Sequence, residues 1–364
     1  MGKETGSLLV PWDRLGVEHI QSDFLETSRR INVILQEGEP FRRMHGSVHC
    51  STPKFPEGHS YAPGAFLFPL HYRDFLEEGG VFFEEASLPL EERSSGVSRD
   101  LVLYVGRGAA DFCVDPLKEV LDWSGFPYRE MDHEDLRRGL LPENAVLLVP
   151  GGPDAGESYY AGLGDKGYAI LRNHILGKGS YFGVCAGAYL PLTSFDRRNS
   201  FWLNLVDVTD AQDLDYWRTG TGFVRVSLRE KHPCFYGLQA GPRNTLDLIY
   251  WEGPAMEVFG NNAHSLGEYE SFVASGHPEH VPSWDLGDNY PAKEALRGWY
   301  NLLSPERFEK HLRGRSAFVE CRIGEGKTLL YSPHGEFGNI GMGERKKSPS
   351  FLLILDALFY LLYS

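Results

Sequence analysis

Cys185 stands in the run Tyr181-Phe182-Gly183-Val184-Cys185-Ala186-Gly187-Ala188-Tyr189, a G-x-C-x-G pattern directly after an apolar stretch. This is the thiol counterpart of the G-x-S-x-G elbow, in which a nucleophile sits on a sharp strand-to-helix turn. Small neighbours let the turn be tight and let a carbonyl group approach the sulfur. A helix starting just after Cys185 brings its positive end to the sulfur and favours the thiolate, which is the attacking species. The Ala186 N–H is then one donor for the oxyanion of acyl transfer, and the Gly151-Gly152 loop supplies the other. The competing reading is a small buried cysteine in a glycine-rich crossing.

A cysteine nucleophile needs a base, and the base needs an orienting carboxylate. Tyr331-Ser332-Pro333-His334-Gly335-Glu336 offers both. Residues two apart on an extended segment point to the same side, so Glu336 can reach one ring nitrogen of His334 while the other faces Cys185. Gly276-His277-Pro278-Glu279-His280 has the same His-x-Glu spacing after the short apolar run Phe272-Val273-Ala274. Spacing alone does not separate the two. His334 is favoured because it follows a hairpin and precedes the terminal helix, whereas His277 falls where an exposed loop is expected.

Other residues carry less weight. Asp154, at the end of Pro150-Gly151-Gly152-Pro153-Asp154, either shapes the glycine loop as a turn former or contacts a substrate amine. Tyr159, Tyr160, Tyr189, Tyr250 and Trp251 are candidates for the border of a cleft, with core packing the commoner fate of each. His45-Gly46-Ser47-Val48-His49-Cys50 has metal-ligand residue types, and a helix would put His45 and His49 on one face. Gly46 and Val48 weaken such a helix and no Cys-x-x-Cys accompanies it, so no metal site is expected. Gly106-Arg107-Gly108 lacks the third glycine of a dinucleotide fingerprint and reads as an ordinary strand-to-helix turn. No cofactor is expected.

These residues must be positioned by elements of the right kind. Leu101-Val102-Leu103-Tyr104-Val105 and Ala145-Val146-Leu147-Leu148-Val149 are continuous apolar runs, as in strands buried on both faces of a parallel sheet. Between and after them come a helix from about Asp115 to Ser124, a short strand near Tyr128 to Met131, a polar helix around Glu134 to Arg138, a helix over roughly Lys166 to Leu176, and the strand Ser180 to Val184. Such alternation predicts a doubly wound α/β sheet, with ligands beyond the carboxyl ends of its strands. Cys185 and Gly151-Gly152 both fall there.

The second half is richer in strands, at Gly222 to Leu228, Leu246 to Trp251, Met256 to Phe259, Ala317 to Arg322 and Lys327 to Ser332. The last two flank the hairpin glycines of Ile323-Gly324-Glu325-Gly326. The Pro-, Gly-, Trp- and His-rich stretch 261–315 reads as an insertion. Residues 1–98 form a separate N-terminal region of unassigned role, with a helical-looking stretch from Val17 to Leu35 and a connection from Glu84 to Gly96. Phe351 to Tyr363, apolar except for Asp356, reads as a buried C-terminal helix, with a dimer interface the lesser option.

With 364 residues, the chain exceeds the roughly 250–300 residues at which a single core stops growing. One large domain with added regions fits that length. The net charge is −14 and no basic stripe interrupts it, which removes the usual footprint of nucleic-acid binding. Five scattered cysteines do not form a small disulfide framework, so a reducing, cytoplasmic setting is expected. The Met-Gly-Lys-Glu-Thr-Gly start has no apolar signal core and no lipidation motif, and the longest apolar stretch is shorter than the roughly 20 residues of a membrane span. No membrane partner is expected.

The Cys185 elbow, the Leu148-Val149-Pro150-Gly151-Gly152-Pro153-Asp154 loop and the late His334-x-Glu336 together resemble class I glutamine amidotransferases. The resemblance is closest to the N-terminal amidotransferase-like domain of eukaryotic biotin-protein ligases, which has a Pro-Gly-Gly-x-Asp loop, a G-x-C-A-G-A elbow and a strand ending in Pro-His-x-Glu in this order. It spans about residues 99–260 and 315–364, inside an amidotransferase-like domain placed at 99–364. The resemblance implies a flavodoxin-like, mostly parallel sheet, a Cys185, His334, Glu336 triad and cleavage of an amide or γ-glutamyl bond. Gly335 stands where proline is common, and the Cys185-to-His334 separation is long. Nothing resembles a biotin-ligase catalytic domain, so a stand-alone relative is expected. Single-domain stress-response and peptidase relatives are disfavoured, because residues 106–110 carry no carboxylate.

Two functions follow as expectations. The first is a thiol hydrolase acting on a small amide or γ-glutamyl-type bond. The second is a catalytically silent binding or regulatory module that keeps the elbow as scaffold. A homodimer and a separate synthetase partner both remain open.

Overall fold

The computed structural model describes residues 6–12, 21, 23–90, 99–195, 201–212, 219–229, 232–238, 244–275, 301–338, 346 and 348–363. Its centre is a parallel sheet of five strands: β1 (Leu101–Tyr104), β2 (Arg129–Met131), β3 (Val146–Val149), β4 (Ser180–Val184) and β5 (Thr328–Tyr331). Their spatial order is β2-β1-β3-β4-β5, every pair parallel. This is the flavodoxin-like order of a doubly wound sheet.

The apolar runs have no alternation because both faces are covered. Leu101, Leu103, Val146, Leu148, Phe182, Val184, Leu329 and Tyr331 point into one core, shared with helices α1 (Asp111–Ser124) and α5 (Phe351–Leu362). Val102, Tyr104, Leu147, Val149, Tyr181 and Leu330 point into the other, under α2 (His133–Arg137) and α3 (Glu157–Leu176). Helix α1 ends at Gly125, whose φ of 74° supplies the left-handed cap that only glycine adopts without strain.

The hairpin expected around Gly324 is present, with Ser316–Cys321 antiparallel to β5. Beyond it the sheet continues antiparallel through Ala263–Ser275, Thr221–Leu228 and Thr245–Trp251. The stretch that reads as an insertion contains a 13-residue strand, Ala263–Ser275, and a helix, Pro305–His311.

The N-terminal residues build an antiparallel sheet ordered Arg42–Arg43, Phe66–Phe68, Ser7–Val10, Glu84–Ala86. Glu84–Ala86 is thus a strand and not part of a connection. The expected helix covers Phe24–Gln36, capped by Asp23, whose carboxylate accepts from the N–H groups of Leu25 and Glu26. Leu8, Val10, Phe66 and Phe68 join the same core as α1 and α5.

Helix α5 is buried on all sides, and its cover comes from this chain. Phe359 meets the rings of Trp12 and Phe66 edge-on at 5.3 and 5.1 Å. Its one carboxylate, Asp356, accepts from Trp12 Nε1 (2.6 Å), Arg43 Nη2 (3.0 Å) and the Gly237 N–H (2.7 Å). Among the described residues, no helix is long and apolar enough to cross a membrane.

Candidate active site

Cys185 lies at the end of β4 with φ 51° and ψ −112°, a left-handed conformation that costs a non-glycine residue about 1–3 kcal/mol. The surroundings hold it there. The Cys185 N–H donates to Tyr331 O (2.8 Å), and the Gly187 N–H to Pro150 O (3.0 Å). A Cβ on Gly187 would stand 2.3 Å from Val149 O, so only glycine lets the turn sit this close to the end of β3. The helix after the elbow is a single turn, Ala186–Tyr189. Its dipole is correspondingly small, but the Ala186 N–H, at its first position, has no intrahelical acceptor.

His334 and Glu336 follow β5. His334 Nδ1 and Glu336 Oε1 are 2.7 Å apart, and both side chains are buried. The ring is fixed from two further directions: its main-chain N–H donates to Ile249 O (2.9 Å), and Phe337 stacks on it at 4.4 Å. Burial opposes a charge on the ring, but the charges of Glu336 and Cys185 outweigh it and raise the His334 pKa above the ordinary histidine range. Sulfur and ring sense each other's charge. The Cys185 thiol donates to Trp251 O at 3.4 Å, and His334 Nε2 is buried with no hydrogen-bond partner among the described residues. Gly335, between the pair, has its carbonyl held by the Ser350 hydroxyl at 2.8 Å.

Cys185, Ala186 and His334 line a cavity of about 210 Å³, together with Gly152, Asp154, Tyr189 and Trp251. A Cβ on Gly152 would lie 2.0 Å from Gly108 O, so the loop packs against the β1–α1 turn, and Gly151 packs beside Cys113 and His334. Asp154 accepts from the N–H groups of Gly156 (2.8 Å) and Ser158 (3.1 Å), which makes it the clasp between this loop and α3. Of the aromatic candidates, Tyr189 and Trp251 border the cavity. Tyr159 and Tyr250 are fully buried core residues, and Tyr160 bonds Asp165 outside it. His277 and Glu279 lie outside the described residues.

Two cavity residues are not signalled by any sequence motif. Cys113, on α1, has its sulfur within 4.8 Å of a His334 nitrogen and a Glu336 oxygen. Burial, then the charges of Cys185 and Glu336, push its pKa well up, so it stays a thiol. Thiol, imidazole and carboxyl are zinc-ligand types, yet here the imidazole and carboxyl are already bonded to each other. Glu252 is the second, at φ 49° and buried. The His45–Cys50 segment is not a helix: Val48–Cys50 is a strand, with His49 exposed and bonded to Ser60 and Cys50 turned inward.

Residues 102–221 match a protein-family model described as "Biotin-protein ligase, N terminal". No curated protein matches the chain. Among solved structures, a glutamine amidotransferase aligns at 15% identity and TM-score 0.38, covering 71% of this chain and 98% of that one. A glutamine amidotransferase from Thermotoga maritima aligns at 12% identity and TM-score 0.41, covering 73% and 99%. A putative GMP synthase protein from Thermoplasma acidophilum aligns at 13% and 0.38, covering 72% and 96%. The β2-β1-β3-β4-β5 order is that of a flavodoxin-like doubly wound sheet, and the part of it that carries the strained cysteine elbow, within residues 102–221, is similar to the N-terminal domain of biotin-protein ligases.

Proposed function

We propose that the chain is a thiol hydrolase of the amidotransferase type, acting on a small amide or γ-glutamyl-type bond. The observation that supports this most is the 2.7 Å His334–Glu336 pair beside a cysteine in the conformation of a nucleophile elbow. In this reading Glu336 orients the ring and His334 takes the proton of the thiol. The sulfur attacks the amide carbon, and the oxyanion is met by the N–H groups of Ala186 and Gly152. His334 passes its proton to the departing amine, leaving a thioester. Water then attacks that thioester as His334 takes a proton from it, and the acid is released with the thiol restored.

The test is release of ammonia or amine from a panel of primary amides and γ-glutamyl compounds, by the native chain and by Cys185→Ala. Turnover is expected in the first and its loss in the second, with the circular dichroism spectrum unchanged. Equal turnover by the two would sink the proposal.

One observation favours a silent binding module: the thiol donates to Trp251 O and not to His334 Nε2. Under that reading Cys185 resists iodoacetamide as well as the other buried cysteines do. Selective, rapid alkylation of Cys185 excludes it.

A further inference from the structure

The cavity around Cys185 has an acidic wall that the reaction steps leave unused. Glu252 follows the strand Thr245–Trp251 and lines the cavity with Trp251 and Tyr189. Its backbone is in the left-handed region, at φ 49°, where glutamate is an unfavourable choice unless its side chain has a use. Tyr189 Oη donates to the Glu252 carbonyl at 3.1 Å and so fixes the main chain.

The side chain is fixed too. Asn301 Nδ2 donates to Glu252 Oε1, and Arg307 Nη1 donates to Asn301 Oδ1 at 2.6 Å. Arg307 thus orients the amide that orients the carboxyl. Glu252 Oε2 receives no hydrogen bond among the described residues. The other carboxylate of the cavity, Asp154, is occupied by the Gly156 and Ser158 N–H groups. Among the described residues Glu252 is therefore the lining carboxylate left for a ligand, and residues next to it in the lining are aromatic. Phe112 and Trp251, stacked on each other at 4.9 Å, both line the same cavity. A carboxyl group beside aromatic faces suits an alkylammonium group.

We propose that Glu252 is a specificity residue of this site, receiving a protonated amine so that the cavity selects small amides carrying an alkylammonium group over neutral or anionic ones. This rests on Cys185 being the reacting group. Burial raises the Glu252 pKa to about 7, against the Asn301 hydrogen bond and the Arg307 charge, and an incoming cation stabilises the ionised form. The cavity of about 210 Å³ limits the ligand to a small molecule.

The test labels Cys185 with three methanethiosulfonates of similar size: 2-aminoethyl (cationic), ethyl (neutral) and 2-sulfonatoethyl (anionic). In each the thiolate forms a mixed disulfide and methanesulfinate leaves. Rates at Cys185 are read by peptide mass and normalised to a free thiol in solution. The normalised cationic-to-neutral ratio is expected to be roughly tenfold in the native chain, the value of one charge-assisted contact. In Glu252→Gln, which keeps the acceptor for Asn301, it should fall to within about twofold of unity. A native ratio near unity, or one that survives the substitution, overturns the proposal. The native ratio needs no variant, so a Glu252→Gln chain that fails to fold does not protect it. Amide turnover is scored separately: a Glu252-dependent ratio without turnover defeats the hydrolase reading alone, and turnover with a flat ratio defeats the Glu252 assignment alone. A Cys185 that ignores all three reagents overturns both.

Discussion

The main-chain N–H of His334 donates to the carbonyl oxygen of Ile249 at 2.9 Å, although their strands are separated by three others in the sheet. Thr245–Trp251 is the outer edge of the antiparallel arm, and this bridge folds it back over the end of β5. The contact braces the imidazole and brings Trp251 and Glu252 to the cavity. A long antiparallel extension is thereby part of the site.

Closure of the arm needs a glycine. A Cβ on Gly253 would lie 2.3 Å from Ser332 O and 2.7 Å from Ser332 Oγ, too close for either neighbour to keep its place. Gly253→Ala is expected to cost about 1–3 kcal/mol in urea unfolding. It should also make Cys185 more accessible to a neutral alkylating agent, because Trp251 moves off the sulfur. Unchanged stability and labelling would show that the arm is not held there.

The N-terminal sheet and α5 are joined by a buried charge pair. Arg43 Nη2 bonds Asp356 Oδ1 at 3.0 Å, and the guanidinium lies 5.3–5.5 Å from the ring centres of Phe66, Tyr236 and Phe359. Removing one partner leaves the other charge buried and unpaired. Asp356→Ala should therefore lose about 3–5 kcal/mol. Adding Arg43→Met to it should cost little more, or recover some stability. Additive losses in urea titrations would count against this coupling.

Acid sensitivity has a specific source in Glu320. Its carboxylate accepts from Tyr360 Oη at 2.5 Å and pairs with Arg322 at 3.2 Å and His232 at 3.7 Å. Burial pushes the carboxyl up, but the hydrogen bonds of His232 and Tyr360 and the nearby positive charges overcome this and hold it at about 2, below the ordinary 4.5. A depressed folded-state value gives stability that is complete above the unfolded value and is lost as pH falls through the folded one. The melting temperature of Glu320→Gln should lie below that of the native chain near neutral pH. The gap should close between about pH 4.5 and 2. A gap that is constant over that window would assign the loss to packing instead.

The parallel sheet was legible because strands covered on both faces are unbroken apolar runs, and Leu101–Tyr104 and Val146–Val149 are such runs. The elbow was legible because closeness of backbones demands Gly183 and Gly187 around Cys185. Ala263–Ser275 was not, because register shifts at Ser265, Gly267 and Glu268 break the period-two pattern that marks a strand. The N-terminal strands are two to four residues long, too short for any periodicity. Glu252 and Cys113 reach the cavity only through the folded-back arm and the packing of α1. Neither path leaves a local motif.

The strain at Cys185 can be measured without knowing the substrate. At an ordinary position, replacing alanine by glycine costs roughly 0.5–1 kcal/mol through lost chain entropy. At φ 51° and ψ −112° the alanine Cβ carries a steric penalty of about 1–3 kcal/mol that glycine escapes. Cys185→Gly should therefore be as stable as Cys185→Ala or up to about 2.5 kcal/mol more stable, a reversal of the usual order. If Cys185→Gly is instead the weaker by the ordinary margin, the elbow is relaxed in solution. The backbone would then have no strained geometry with which to present the sulfur.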